Sequence, residues 1–249
     1  MRPSFFSTIC FGIACWCLLV ITQGYRYGSE DHIEHLPYVL FLAGKAGYAN
    51  DFFIQNLHAA VPNERTVICH ILLPFVNHLE FACFLLHLIT TVAMIAGLER
   101  LGCWLSDDLT VTRIAILLNF LLFFDRGLGN VELYTDTIQG SSISVALLAW
   151  ALYFFFSNRY VLASAISALG TIVHPVEGLC VYSVIAGVMF YDAIRHRSAR
   201  YFIRPVSMYV VLAVPYILWL LSDKMSGNTN TGNEIDSETY YSIYHVFRL

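Results

Sequence analysis

Hydrophobic positions in this chain gather in long unbroken runs, and polar positions gather between them. Residues 5–21 are almost free of polar side chains. Further runs cover 81–98, a stretch capped by Asp107-Asp108 that continues to 124, and then 141–156, 160–173, 176–191 and 205–221. Runs of this kind read as membrane-spanning helices, although several fall short of the roughly 20 residues that a straight span needs. His174-Pro175 breaks two of them, because proline disfavours helix in the residue before it. The short runs on either side are expected to form a broken or re-entrant pair, tolerated where it lines a cavity. The pattern predicts an all-α, polytopic transmembrane helical protein of about seven spans. A single transmembrane domain over 1–249 divides into a first span (1–22), an outer loop (23–78), the remaining spans (79–222) and a last outer loop (223–249).

The first loop carries its own periodicity. Ile33, Leu36, Val39, Leu40, Phe41 and Leu42 fall near helical spacing within 31–47. Asn50-Asp51 looks like the cap of a second helix over 52–60, and Pro62-Asn63-Glu64 starts another element. These are expected to be short amphipathic helices lying along the membrane surface.

Composition supports the membrane reading. Hydrophobic residues make up 57% and charged residues 13% of the chain, with a mean hydropathy of +0.62. A soluble domain of 249 residues needs far more charge to cover its surface. A net charge of -4 argues against a nucleic-acid partner. The seven cysteines are odd in number and include no C-x-x-C pair, so they read as small apolar fillers. No A-x-A cleavage site follows the first run, and Gly12 occupies the position where a lipoprotein site has leucine, so the first span is expected to stay attached.

Charge sets an orientation. With the N-terminus in the cytoplasm, Arg2, Arg100, Arg113, Arg159, Arg195, Arg197, Arg200 and Arg204 fall at inner ends or in short inner loops, eight of the fourteen basic residues. Fourteen of the eighteen acids then fall on the outer side. The same topology places Glu30, Asp31, Glu34, Asp125, Glu132, Asp136, His174, Glu177 and Asp223 on one face, so the chemistry is expected there.

Three groups stand out on that face. In Glu30-Asp31-His32-Ile33-Glu34-His35, helical spacing puts Asp31 beside His35 and Glu30 beside Glu34. A carboxylate at the membrane surface among other acids suits a general base; the same groups could hold a divalent cation, magnesium or manganese, through Asp31 and His35; or they are the solvated start of a helix. The loop 125–140 supplies Arg126, Glu132, Asp136 and Gln139, a set able to bind a phosphate or a sugar or to serve as ordinary loop. His174 and Glu177 sit at the break between two apolar runs, either as a helix cap or as a site facing outward. His70, His78 and His87 are expected to be structural or interfacial.

These residues carry a resemblance. Tyr27-Gly28-Ser29-Glu30-Asp31-His32-Ile33-Glu34-His35-Leu36-Pro37, together with His174-Pro175-Val176-Glu177-Gly178, resembles an uncharacterised bacterial membrane family associated with the GT-C superfamily of polytopic glycosyltransferases. Tyr48-Ala49-Asn50-Asp51-Phe52-Phe53 is similar to a segment of the same first loop. The resemblance spans about 24–249. It implies transfer of a sugar from a polyprenyl-phosphate donor at the outer face of a bacterial inner membrane. Asp31 or Glu30 would then be the catalytic base, and His32, Glu34, His35, Arg126, Glu132, Asp136, Gln139, His174 and Glu177 would contact substrate. It also implies more spans and a continuation past Leu249, so the chain is expected to be the N-terminal portion of a longer one. The alternatives are a transporter or flippase-like protein, motivated by the break at His174-Pro175, and a non-catalytic membrane partner or truncated, decayed protein.

Overall fold

The computed structural model describes residues 3–48, 50–59, 65–122 and 134–225. Among them every regular element is a helix. Helix α1 (Phe5–Thr22) starts at Ser4, whose Oγ accepts a hydrogen bond from the Ser7 N–H at 3.2 Å. Three short helices follow, α2 (His32–Leu42), α3 (Phe52–Ala59) and α4 (Thr66–Leu72). A 3-10 stretch with a kink at Phe75, just after Pro74, leads into α5 (Leu79–Ser106). Then come α6 (Leu109–Leu122), α7 (Gly140–Phe156), α8 (Tyr160–Val173), α9 (Pro175–Arg195) and α10 (Arg200–Met225).

Four stretches are long and apolar enough to cross a membrane: Phe5–Thr22, Thr66–Ser106, Pro175–Arg195 and Arg200–Ser222. Three shorter apolar helices accompany them, Leu109–Leu121, Gly140–Phe156 and Tyr160–Val173. Large apolar side chains such as Ile21, Val184 and Val211 stand 80%, 68% and 69% exposed, which lipid tolerates and water does not. The chain is an all-α integral membrane protein.

The long helices run alternately up and down between two ends. One end carries the first loop and the starts of α5, α7 and α9; here it is called the loop end. On one side of the bundle α1, α5 and α6 share a core around Cys15, Leu19, Ile95, Ile116 and Phe120. On the other, α8, α9 and α10 pack around Ala163, Ala168, Ile185, Met189 and Ala213. Helix α7 bridges the two. Gly97 of α5 lets it approach, since a Cβ there would meet Ala149 Cβ at 3.0 Å. The contact of α8 with α9 is closer still. A Cβ on Gly178 would fall 2.3 Å from Thr171 Cα, so only glycine allows this crossing.

Two expectations are refined. The first-loop helices pack against one another. Leu36, Val39, Ile54, Leu57, Ile68, Cys69 and Leu72 form one buried core with Leu79, Cys83 and Ile138, a small helical cap seated on the loop end. The apolar spacing read from the sequence faces protein here. The second change concerns Glu99-Arg100, expected to end a span near 98. Helix α5 runs on to Ser106 with Glu99 fully buried. The carboxylate is satisfied by distant partners: Thr8 Oγ1 donates to Oε2 at 2.5 Å and Arg113 Nε donates to Oε1 at 2.6 Å. Arg113 Nη2 in turn donates to Ser7 O and Ser7 Oγ. This peg joins α1, α5 and α6 near the end opposite the loop, and a paired, hydrogen-bonded charge can be buried where a lone one cannot.

Candidate functional site at the loop end

Two stretches without regular structure meet at the loop end, Gly24–Asp31 and Tyr134–Gln139. They are fastened at successive points. Tyr134 Oη donates to Gly24 O at 2.8 Å. The Arg26 N–H donates to Asp136 O at 2.8 Å, and the Arg26 guanidinium pairs with the Asp136 carboxylate at 3.0 Å. His32, buried at the start of α2, accepts the Gly28 N–H on Nδ1 at 3.2 Å. Its proton therefore sits on Nε2, which donates to Ile138 O at 3.1 Å. Gln139 Nε2 completes the seam by donating to Glu30 Oε2 at 2.8 Å.

A second histidine repeats the device from below. His87 of α5 accepts the Trp16 Nε1–H on Nδ1 at 3.0 Å and donates from Nε2 to Thr135 O at 2.9 Å. Tyr134 and Tyr25 pack edge-on or tilted against its ring. Burial holds His32 below the usual histidine range, so it is neutral at pH 7 and keeps this hydrogen-bond assignment. Both rings have both nitrogens committed to the fold. His32 positions the loop; its nitrogens are not available to a substrate.

The seam leaves Glu30 at the surface with φ +50°, a left-handed conformation that costs a glutamate about 1–2 kcal/mol. Gly24 and Gly28 in the same loop are also left-handed, at no such cost. Backbone strain of this kind persists only where the surroundings dictate it, and it gathers at functional sites. Asp31 follows at the N-cap position of α2, making no capping hydrogen bond with its side chain.

The remaining candidates distribute as follows. Gln139 is the N-cap of α7, and Gly140 lies against α8, its absent Cβ being 3.4 Å from Val173 O. That brings the seam next to His174 and Glu177 at the start of α9. His174 Nδ1 and Glu177 Oε2 are buried 3.8 Å apart, too far for a hydrogen bond, and neither has a hydrogen-bond partner. Glu34 is engaged in an ion pair with Arg65. His35 turns into the cap core, 2% exposed, with Nδ1 lacking a partner. Burial, aided by the Arg65 and His32 charges, pushes its pKa down to about 3. Arg126 and Glu132 lie outside the described residues, as does Asp125. Among the described residues no group of three or more His, Cys, Asp or Glu side chains could hold a metal ion. Among the described residues Asp31 and His35 are not joined by a third such donor.

Beside the seam, Tyr25, Asn77, His78, Glu80, Phe81 and Phe84 line an open groove of about 540 Å³. Tyr25 packs edge-on against Phe84, its hydroxyl is buried without a partner, and burial raises its pKa. Aromatic faces beside amide, imidazole and carboxylate groups are the mixture that binds polyhydroxylated ligands. This groove was not anticipated. Its one sequence signal is the run Asn77-His78-Leu79-Glu80 directly before the second apolar stretch.

Comparison with protein-family models, with curated proteins and with solved structures returned no match to this chain.

Proposed function

We propose that this protein transfers a glycosyl group from a polyprenyl-phosphate donor at the loop end. The observation that supports this reading best is the strained, surface-exposed Glu30, held by Gln139 next to Asp31 on a seam beside the aromatic and polar groove. The resemblance of the first loop to GT-C glycosyltransferases adds the reaction class, although a fold alone does not fix a function. On this reading the loop end is the non-cytoplasmic face, the N-terminus is cytoplasmic and the membrane is a bacterial inner membrane.

The reaction would run as a single displacement. The carboxylate of Glu30 or Asp31 takes the proton of an acceptor hydroxyl while that oxygen forms a bond to the anomeric carbon. The bond from that carbon to the phosphate oxygen breaks, and polyprenyl phosphate leaves with the electron pair. The groove at Tyr25 and Glu80 would orient one of the two sugars. The test is transfer of label from a polyprenyl-phosphate sugar in proteoliposomes, with an added-cation and an EDTA arm. Glu30→Gln or Asp31→Asn is expected to lower transfer at least 100-fold with unchanged expression. Full transfer in both variants removes the acidic pair as base.

A transporter or flippase reading draws on a different observation, the His174–Glu177 pair, with Nδ1 and Oε2 buried 3.8 Å apart at the helix break. Flux through reconstituted vesicles that is abolished in His174→Ala would favour it over transfer.

A further inference from the structure

We infer that the groove between α8 and α10, at the end of the bundle opposite the first loop, binds the phosphate headgroup of an anionic membrane lipid. The groove measures about 540 Å³ and is bordered by Arg159, Arg200 and Arg204 with Tyr160 and Tyr201. No carboxylate lines it. Among the described residues none of the three arginines is in an ion pair. The carboxylate of Asp192, on neighbouring α9, is engaged instead by Tyr160 Oη, which donates to it at 3.1 Å.

The arrangement is electrostatically incomplete by itself. Arg200 and Arg204 are four apart on one helix and share a face, a spacing at which like charges repel. Arg159, next to the first residue of α8, adds a third positive charge. A phosphate between them would replace repulsion with charge-assisted hydrogen bonds, and the planar guanidinium fork suits phosphate oxygens. The rest of the groove specifies a lipid. Its floor is apolar, with Leu162 and Met208 40% and 37% exposed along the flank of the bundle. An occupant with an anionic head and an acyl chain satisfies both parts, whereas a free phosphate satisfies only the first. Basic pockets between transmembrane helices capture anionic headgroups in this way, with tyrosines at headgroup depth. This inference is independent of the glycosyl-transfer reading.

The experiment uses the full chain in phosphatidylcholine vesicles carrying spin-labelled phosphatidylglycerol or spin-labelled phosphatidylcholine, at matched ionic strength. The wild type is expected to immobilise phosphatidylglycerol in preference. The preference should fall roughly fivefold for each of Arg159→Gln, Arg200→Gln and Arg204→Gln. Arg195→Gln and Arg197→Gln, at the same end but outside the groove, should leave it unchanged. Three results would overturn the site: no preference in the wild type, a loss that follows the number of charges removed wherever they lie, or displacement of the labelled lipid by millimolar inorganic phosphate. The wild-type comparison and any one of the groove variants decide the matter even if another of them does not fold.

Discussion

Arg113 Nε lies 2.6 Å from Glu99 Oε1, joining α6 to α5 in a helix bundle whose interior is otherwise largely apolar. Thr8 and Ser7 of α1 supply the remaining hydrogen bonds, so both charges are satisfied within the protein. Removing one partner leaves the other charge uncompensated. Arg113→Leu should cost about 3–5 kcal/mol, while replacing Glu99 and Arg113 together by leucine should restore most of it. Thermal unfolding in detergent measures both. Equal losses from the single and double variants would mean that the two charges are not coupled.

Gly178 offers a sharper test because its own helix contains a control. A methyl group at 178 would strike the backbone of Thr171, which cannot yield as a flexible side chain would. Gly187, also on α9, has nothing within 4 Å of the same position. Gly178→Ala should therefore destabilise by several kcal/mol, at or beyond the usual range of about 1–3 kcal/mol for overpacking. Gly187→Ala should stabilise by up to about 1 kcal/mol through helix propensity. Similar midpoints for the two variants would refute the close crossing of α8 and α9.

What the sequence reveals here follows from how local each signal is. Uninterrupted hydrophobicity is local, so the runs 5–21, 141–156 and 160–173 match α1, α7 and α8 to within a residue at each end. The end of α5 is not legible, because Glu99 looks like a terminating charge until Arg113 and Thr8, far along the chain, are placed beside it. The site divides in the same way. The acids of the first loop and Gln139 are visible as polar residues between apolar runs. Their pairing is not, because the contact of Glu30 with Gln139 crosses more than a hundred residues. The inward turn of His35 and the engagement of Glu34 with Arg65 also escape the sequence. The helical spacing of α2 tells which residues share a face, but not that the cap core receives that face.

His35 should make the cap sensitive to acid. Its pKa is lowered from 6.5 to about 3 in the folded protein, where Arg65 and His32 both oppose a further positive charge. Below the unfolded pKa the unfolded chain binds a proton that the folded chain does not. Stability is therefore complete above about pH 6.5 and falls as pH drops toward 3, by up to about 1.4 kcal/mol per pH unit. His35→Leu keeps the apolar surroundings and removes the proton. Its stability should change less across that window than the wild type's, measured by hydrogen exchange at the amides of α2 and α4. Parallel pH curves for the two proteins would show that His35 does not titrate as its burial demands.

Glu30 ties strain to chemistry in a way that two substitutions can separate. Glycine and alanine both remove the carboxylate and the hydrogen bond from Gln139, so with Glu30 as the base of the proposed function both should abolish transfer. They differ only in the backbone. At φ +50° alanine keeps the strain and glycine relieves it, so Glu30→Gly should be about 1 kcal/mol more stable than Glu30→Ala. A gain in stability accompanied by loss of transfer is the expected signature of a residue retained for its chemistry at a cost to the fold. If Glu30→Ala and Glu30→Gly are equally stable, the left-handed conformation is not imposed by the seam. If both variants keep wild-type transfer, Glu30 serves the loop alone and Asp31 becomes the remaining candidate for the base.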